Sequence, residues 1–235
     1  MSNQVKSKQR VVDHGEVFTS EREVNAMLDL VKQETERIDS RFLEPACGDG
    51  NFLAEILKRK LQIVKQTYKK SFSEYEKYSI VALSSIYGVE LLFDNTLTCQ
   101  KRLFDIWNNE YSSVCKNTAN DKCRKIAQHI LSLNILCGNA LSMKRVDENG
   151  KDLEEPIIFA EWSFVGDKVK RRDFRLDVLL KENEDESMYN TQLSIFGDTA
   201  DSLDYWEIDP VTNNPIPKAV KEYPMIDYRS IVEYE

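Results

Sequence analysis

The chemistry in this sequence is concentrated at one bend. Phe42-Leu43-Glu44-Pro45-Ala46-Cys47-Gly48-Asp49-Gly50-Asn51-Phe52-Leu53 is an apolar run that halts at a proline, passes two glycines spaced by two, and opens a helical pattern. Glycine is needed where a turn is tight and a ligand must approach the backbone closely. The helix that follows offers unpaired N–H groups and a positive dipole end, which suit a carboxylate or another anion. Three readings fit the bend: a nucleotide-like binding turn, a dinucleotide site, or an ordinary strand–helix turn that uses glycine for convenience. The dinucleotide pattern G-x-G-x-x-G is weakened because position 53 is Leu.

The elements around the bend must position it. Ser20-Glu21-Arg22-Glu23 opens a predicted helix over 19–38, with Thr19 or Ser20 as N-cap, Glu23 in capping-box position, and Val24, Met27, Leu28 and Val31 at helical spacing. A short buried strand is expected at 40–45, then a helix over 51–70 with Phe52, Leu53, Ile56, Leu57 and Val64 on one side. The tyrosine- and charge-rich stretch 72–79 reads as a surface insertion. Ile86–Leu91 is the next strand and 93–109 a helix with Leu97, Leu103, Phe104 and Trp107 inward. Residues 110–120 read as loop, 122–133 as an amphipathic helix and 133–140 as a third strand with its turn. Strand and helix alternate from 40 to 140, the pattern of a parallel sheet covered on both faces.

Beyond 140 the pattern changes. A polar turn is expected at 147–155, a strand at 156–165, and alternation of basic and apolar residues over 168–180. Residues 181–204 are acidic and poor in apolar side chains, so they are expected to be mobile. The tail from Trp206 holds four of the six prolines and reads as an extended segment laid over a surface. The chain thus divides into an N-terminal arm and helical cap (1–39), a cofactor-binding α/β domain (40–180) and an acidic, irregular C-terminal extension (181–235).

Composition sets outer bounds. The 235 residues, 41% apolar and 31% charged, suit one α/β domain with a short appendage. No run approaches the roughly 18 apolar residues of a membrane span, and Met1–Arg10 is polar with no apolar stretch behind it, unlike a secretory signal. A cytoplasmic location is expected, with no membrane partner. Cys47, Cys99, Cys115, Cys123 and Cys137 are odd in number and form no C-x-x-C pair, and neither His14 nor His129 sits at ligand spacing, so neither a disulfide framework nor a metal site is expected. The net charge of −8 opposes an unaided grip on duplex DNA, whose phosphates supply most sequence-independent affinity.

Residues 42–53 closely resemble the cofactor-binding motif of the adenine-N6 DNA methyltransferases of restriction–modification systems, a hydrophobic strand followed by E/D-P-A-C-G-S/D-G. His14-Gly15-Glu16-Val17-Phe18-Thr19-Ser20 resembles the segment preceding that motif in one subgroup, which packs beside the methionine end of the cofactor; the family usually has T-P where this chain has Thr19-Ser20. Ile86–Leu91 resembles the second strand, whose acid holds the cofactor ribose. Ile135–Leu141 resembles the third motif, normally G-D-A/S-L, with Asn139 in place of the Asp that accepts from the adenine amino group. The resemblance implies a Rossmann-like class I methyltransferase fold, a parallel sheet flanked by helices and here incomplete. It also implies S-adenosylmethionine as cofactor and a binding set of Thr19, Glu44, Pro45, Ala46, Cys47, Gly48, Gly50, Phe52, Glu90, Leu91, Asn139 and Ala140. Taken singly, Glu90 also reads as a solvated strand-end charge and Asn139 as a turn cap.

The same family binds its flipped adenine with N/D-P-P-Y/F after the third motif, and no such tetrapeptide occurs here. Asn214-Pro215-Ile216-Pro217 lacks the aromatic, while Trp162 and Phe164 read either as base-stacking or as core residues. The basic run Lys168–Arg175, with Phe174 inside it, reads as a phosphate track or as a solvated or docking face. No target-recognition region is visible and the catalytic residues stay unassigned. The resemblance therefore implies a methyltransferase component that works with a second subunit carrying the catalytic motif or the target-recognition domain, or a non-catalytic subunit of the same assembly.

Overall fold

The computed structural model describes Arg10, residues 19–181 and residues 205–233. The expectations for His14–Phe18 and for 182–204 lie outside the described residues. A five-stranded sheet runs β1 (Phe42–Glu44), β2 (Ile86–Glu90), β3 (Ile135–Asn139), β4 (Lys144–Val146) and β5 (Asp152–Pro156) in spatial order. β1, β2 and β3 are parallel, whereas β4 and β5 turn back antiparallel. Helices fill the connections: α1 (Glu21–Asp29), α2 (Lys32–Thr35), α3 (Asn51–Tyr68), α4 (Phe72–Ser84), α5 (Phe93–Cys115) and α6 (Asp121–Asn134).

Helices flank the sheet as expected, but the two faces of the parallel strands are covered differently, the second by strands together with Leu176 of the short helix Leu176–Lys181. Ile86 and Gly88 face the helical side, where Leu53 of α3 lies so near that a Cβ on Gly88 would come within 2.9 Å of it. Tyr87, Val89 and Leu136 face the other way, against Phe159 and Leu176. That second layer is an antiparallel sheet built on β6 (Ile158–Val165) and β7 (Lys168–Arg175). Tyr87 meets Phe159 edge-on with centroids 5.3 Å apart, and its hydroxyl donates to Ala160 O at 3.0 Å. Close packing at Gly138, where a Cβ would sit 2.7 Å from Ile157, lets the layers approach.

The tail is part of this layer. β10 (Lys221–Glu222) and β11 (Ile226–Asp227) both pair with β7, and β8 (Trp206–Ile208) and β9 (Pro215–Pro217) form a hairpin of their own. Residues 221–227 therefore add two strands to the sheet begun by β6 and β7, while β8 and β9 pair only with each other. A final 3-10 turn, Tyr228–Glu233, packs on α6 and brings fully buried Tyr228 to Glu76 of α4. There Glu76 accepts from Tyr228 Oη at 3.0 Å, Tyr111 Oη at 2.7 Å and Asn120 Nδ2 at 3.1 Å.

That buried acid explains a second correction. Residues 72–79 are not a surface insertion but the first turns of α4, with Tyr75, Glu76 and Ser79 buried. Their polarity hides their burial from a hydrophobicity pattern, because the partners come from distant helices and the tail. Likewise α5 runs on to Cys115 through the expected loop, burying Tyr111 and Val114. At the N-terminus the single helix expected over 19–38 is broken into α1 and α2, with Val24 and Leu28 buried but Met27 and Val31 exposed, and Leu97 of α5 is also exposed. The capping box is present, with Ser20 N–H donating to Glu23 Oε2 at 3.1 Å.

Lys60 of α3 is fully buried and pins the entry to β1. Its ammonium donates to Ile38 O at 3.2 Å, to Ser40 O and to Ser85 Oγ. Burial pushes this group down to about 7, while the unfolded chain protonates it near the ordinary lysine value of about 10.4. The unfolded state then binds more protons between those limits, so stability from this group rises with pH from about 7 toward 10. Urea denaturation across that range should show the rise in the wild type and its absence in Lys60→Met. Tyr228→Phe, which removes one bond to a buried carboxylate, is expected to lower the unfolding free energy by about 1.5–3 kcal/mol, read from the urea midpoint at unchanged slope.

Candidate functional site

The parallel strands stop along one edge, and their C-terminal ends open into a cavity of about 590 Å³. This volume falls within the roughly 300–1,000 Å³ usual for small-molecule sites. One wall is the bend after β1, from Glu44 through Gly48, continued by Asn51 and Phe52 at the start of α3. The second wall is the end of β2, Glu90, Leu91 and Leu92, with Asn95 from the first turn of α5. The third is Gly138 through Leu141 at the end of β3, and Thr19 closes the side next to α1. Crevices at the carboxyl ends of parallel strands are the usual ligand sites of such sheets.

The bend is held from below. Cys47 N–H donates to Val89 O at 3.0 Å and Gly50 N–H to Cys47 O at 2.8 Å. Gly48 and Gly50 both take positive φ, 55° and 89°, so neither position suits a side chain. Gly50 is the N-cap of α3 and carries no side-chain cap, which leaves the first N–H groups of that helix available. Gly50 does not line the cavity. A Cβ there would stand 2.7 Å from Cys99 Sγ of α5, so its role is to let α5 pack beneath the turn.

Glu90 is buried and joins three elements. Its Oε2 accepts from Gly48 N–H at 2.8 Å, and its Oε1 accepts from Leu92 N–H at 3.0 Å and Asn95 Nδ2 at 3.3 Å. It is not a solvated strand-end charge. Asn139 does act as a turn cap: its Oδ1 accepts from Leu141 N–H at 3.0 Å, and its Nδ2 donates to Asp152 Oδ1 at 3.0 Å across from β5. Glu44 is partly buried, and desolvation raises its pKa above the usual carboxylate value. Hydrogen bonding with the Cys99 thiol, then burial, pushes the Cys47 thiol well up, so Cys47 stays protonated and is no nucleophile.

Of the residues singled out from sequence, Thr19, Glu44, Pro45, Ala46, Cys47, Gly48, Phe52, Glu90, Leu91, Asn139 and Ala140 all line this one cavity. Asn51, Leu92, Asn95, Gly138 and Leu141 line it too and were not anticipated. Asn51 and Asn95 carried a signal, since each is a polar residue in the first turn of a helix that starts at a strand end. Asn51 is itself positioned, donating to Thr19 O at 3.1 Å and accepting from Arg102 Nη1 at 2.7 Å.

The other candidates lie elsewhere. Trp162 is buried and donates to Asn134 Oδ1 at 3.1 Å, and Phe164 packs against the same core. Pro215–Pro217 forms β9, paired with β8. Four of the five cations in the basic run are paired on the spot: Lys170 with Glu222, Arg171 with Asp173, Arg172 with Glu161 and Arg175 with Asp177. Phe174 within it is buried. Charges so paired have little to give to a phosphate backbone. Among the described residues no group of three His, Cys, Asp or Glu could hold a metal ion, and no helix is long and apolar enough to cross a membrane.

The chain is 26% identical over 144 residues to DNA methyltransferase A of Bacillus subtilis (strain 168), a stretch that covers 59% of this chain and 16% of that protein. The chain therefore spans a small part of the length of that relative. No family model matches the sequence, and no solved structure matches the chain. Gly50→Ala, which forces a Cβ into the left-handed region and onto Cys99, is expected to lower stability by about 1–2 kcal/mol from the backbone alone, read as a fall in urea midpoint. Gly150→Ala, whose Cβ would meet Leu91 no closer than 3.8 Å, carries the same positive-φ cost without the clash and should fall less.

Proposed function

We propose that this chain is the S-adenosylmethionine-binding component of a site-specific DNA (adenine-N6) methyltransferase of a restriction–modification system, and that a partner polypeptide supplies the residues that hold the target base. The observation that carries the reading is the single cavity at the strand ends, around which the segments resembling the family's cofactor motifs converge. The stretch of similarity to a DNA methyltransferase supports the methyltransferase class. The adenine specificity and the restriction–modification setting rest on the Glu44–Gly50 motif.

The donor groups suit each part of the cofactor. The uncapped N-terminus of α3 faces the cavity with N–H groups for its carboxylate. The partly buried Glu44 carboxylate suits its ammonium group, and a cation there would draw the acid's pKa back down. A carboxylate has about four lone-pair positions, and Glu90 uses three on Gly48, Leu92 and Asn95. One ribose hydroxyl can bond Oε2 directly, and the second is accommodated when the Asn95 amide turns from Oε1. Leu91 offers an apolar wall for adenine. Asn139 keeps one lone pair for the adenine amino group, an uncharged and therefore weaker contact than an Asp would make.

When bound, the cofactor would supply an electrophilic methyl group on sulfonium, to be taken by a nitrogen nucleophile in one displacement with the neutral thioether S-adenosylhomocysteine as the leaving group. This chain's part is to bind and orient it. The protonated Cys47 thiol offers no covalent route. A non-catalytic cofactor-binding subunit of the same assembly is the second reading, favoured by the turn-capping engagement of Asn139 and by the missing base-binding tetrapeptide.

Titration calorimetry of the purified chain with S-adenosylmethionine should show binding, and Glu90→Ala should weaken it about tenfold or more, equivalent to about 1.4 kcal/mol. An unchanged dissociation constant would remove Glu90 from the site. Transfer of radiolabelled methyl groups to DNA only when the partner is added supports the catalytic reading; binding with no transfer in either preparation favours the second one.

A further inference from the structure

The cavity is lined by two carboxylates, Glu44 and Glu90, and among the described residues by no lysine, arginine or histidine. A third acid, Asp49, stands inside the bend itself, between Gly48 and Gly50. An amino-acid carboxylate seated at the start of α3 therefore meets hydrogen-bond donors from the helix and repulsion from the acids around it. Like charges gathered in a partly enclosed site oppose each other more than they do in water.

Arg102 bears on both from outside. It lies within α5 and does not line the cavity. Its Nη1 donates to Asp49 Oδ1 at 3.3 Å, to Asp49 O at 3.4 Å and to Asn51 Oδ1 at 2.7 Å. The first contact sets a guanidinium charge against the Asp49 carboxylate. Both residues are partly buried, so salt screens this pair less than a fully exposed one.

The contact with Asn51, the first residue of α3, also fixes the direction of its amide. With Oδ1 turned to a cation, Nδ2 is left to donate, and it does so to Thr19 O at 3.1 Å. Asn51 and Thr19 both line the cavity. A single guanidinium thus links the glycine bend, the start of α3 and the residue that closes the side next to α1. This is the wall to which the reading above gives the ligand's carboxylate, whereas Glu90, Leu91 and Asn139 serve its adenosyl part.

We propose that Arg102 is the positioning residue for the amino-acid end of the ligand. It cancels the charge of Asp49, holds Asn51 and Thr19 in place, and so lets a carboxylate settle at the start of α3. It acts through these residues and touches no part of the ligand. Ligands that bear an amino-acid group need it, and an adenosyl thioether without that group does not. The inference rests on the cofactor-binding reading above.

Calorimetry of the full chain with two neutral thioethers tests this. S-adenosylhomocysteine carries the amino-acid group, and 5′-methylthioadenosine carries the adenosyl group without it. Arg102→Ala should weaken the first about fivefold or more and leave the second within about twofold. In a folded variant, a loss of 5′-methylthioadenosine as large as that of S-adenosylhomocysteine marks a merely structural role and overturns the proposal. Unchanged affinity for both overturns it as well. A second arm needs S-adenosylhomocysteine alone and covers an alanine variant that does not fold. Arg102→Gln keeps an amide donor but removes the charge, leaving Asp49 uncompensated; the affinity it loses should be largely restored when Asp49→Asn is added. Failure of Asp49→Asn to restore it overturns the proposal, because cancelling that charge is then not what Arg102 does. Wild-type protein that binds neither thioether nor S-adenosylmethionine defeats the cofactor reading itself.

Discussion

The Glu90 carboxylate is the constraint on which the crevice depends. It stands at the end of β2, the middle of the three parallel strands, buried, and takes hydrogen bonds from the turn after β1, from the turn after β2 and from the first turn of α5. Buried charge is tolerated only when its lone pairs are satisfied, so the three donors must converge on it. Their convergence fixes the spacing between the glycine bend and its neighbouring strand end, and hence the cavity between them. Gly48, Gly50 and Gly88 make that spacing sterically possible, because a Cβ at Gly50 or Gly88 would collide with Cys99, or with Cys47 and Leu53.

The opposite face of the sheet is organised by a different device. β6 and β7 lie across Tyr87, Val89 and Leu136 together with Leu176, and the tail adds β10 and β11 to them. Glu76 then locks the end of the tail to the helical side through Tyr228, while Trp162 ties β6 to the end of α6. The chain's last third thus holds both sides of the sheet together. In doing so it consumes the basic run: Arg171, Arg172 and Arg175 serve carboxylates of the same layer. Those three guanidinium groups are paired within the layer, and the whole chain carries a net charge of −8.

Much of the site was legible in the sequence because its chemistry is local. A strand end, two glycines and a helix start lie within a dozen residues, and each imposes its own conformation whatever the rest of the chain does. Glu90 and Asn139 were legible as polar residues ending apolar runs. Their hydrogen-bond states were not. Whether Glu90 faces solvent or the glycine bend depends on β2 lying parallel beside β1, and whether Asn139 caps its own turn depends on β5 bringing Asp152 alongside.

The sequence alone determined the alternation of strand and helix from 40 to 140, the capping box at Ser20 and the bend at Gly48–Gly50, since periodicity, caps and glycine act over a few residues. Tertiary structure decided the rest. The burial of Tyr75 and Glu76, the strand layer over Tyr87 and Leu136, and the pairing of Lys170 with Glu222 all arise between residues far apart in the chain. No local pattern encodes them, because a polar residue reads as exposed until its distant partner is in place.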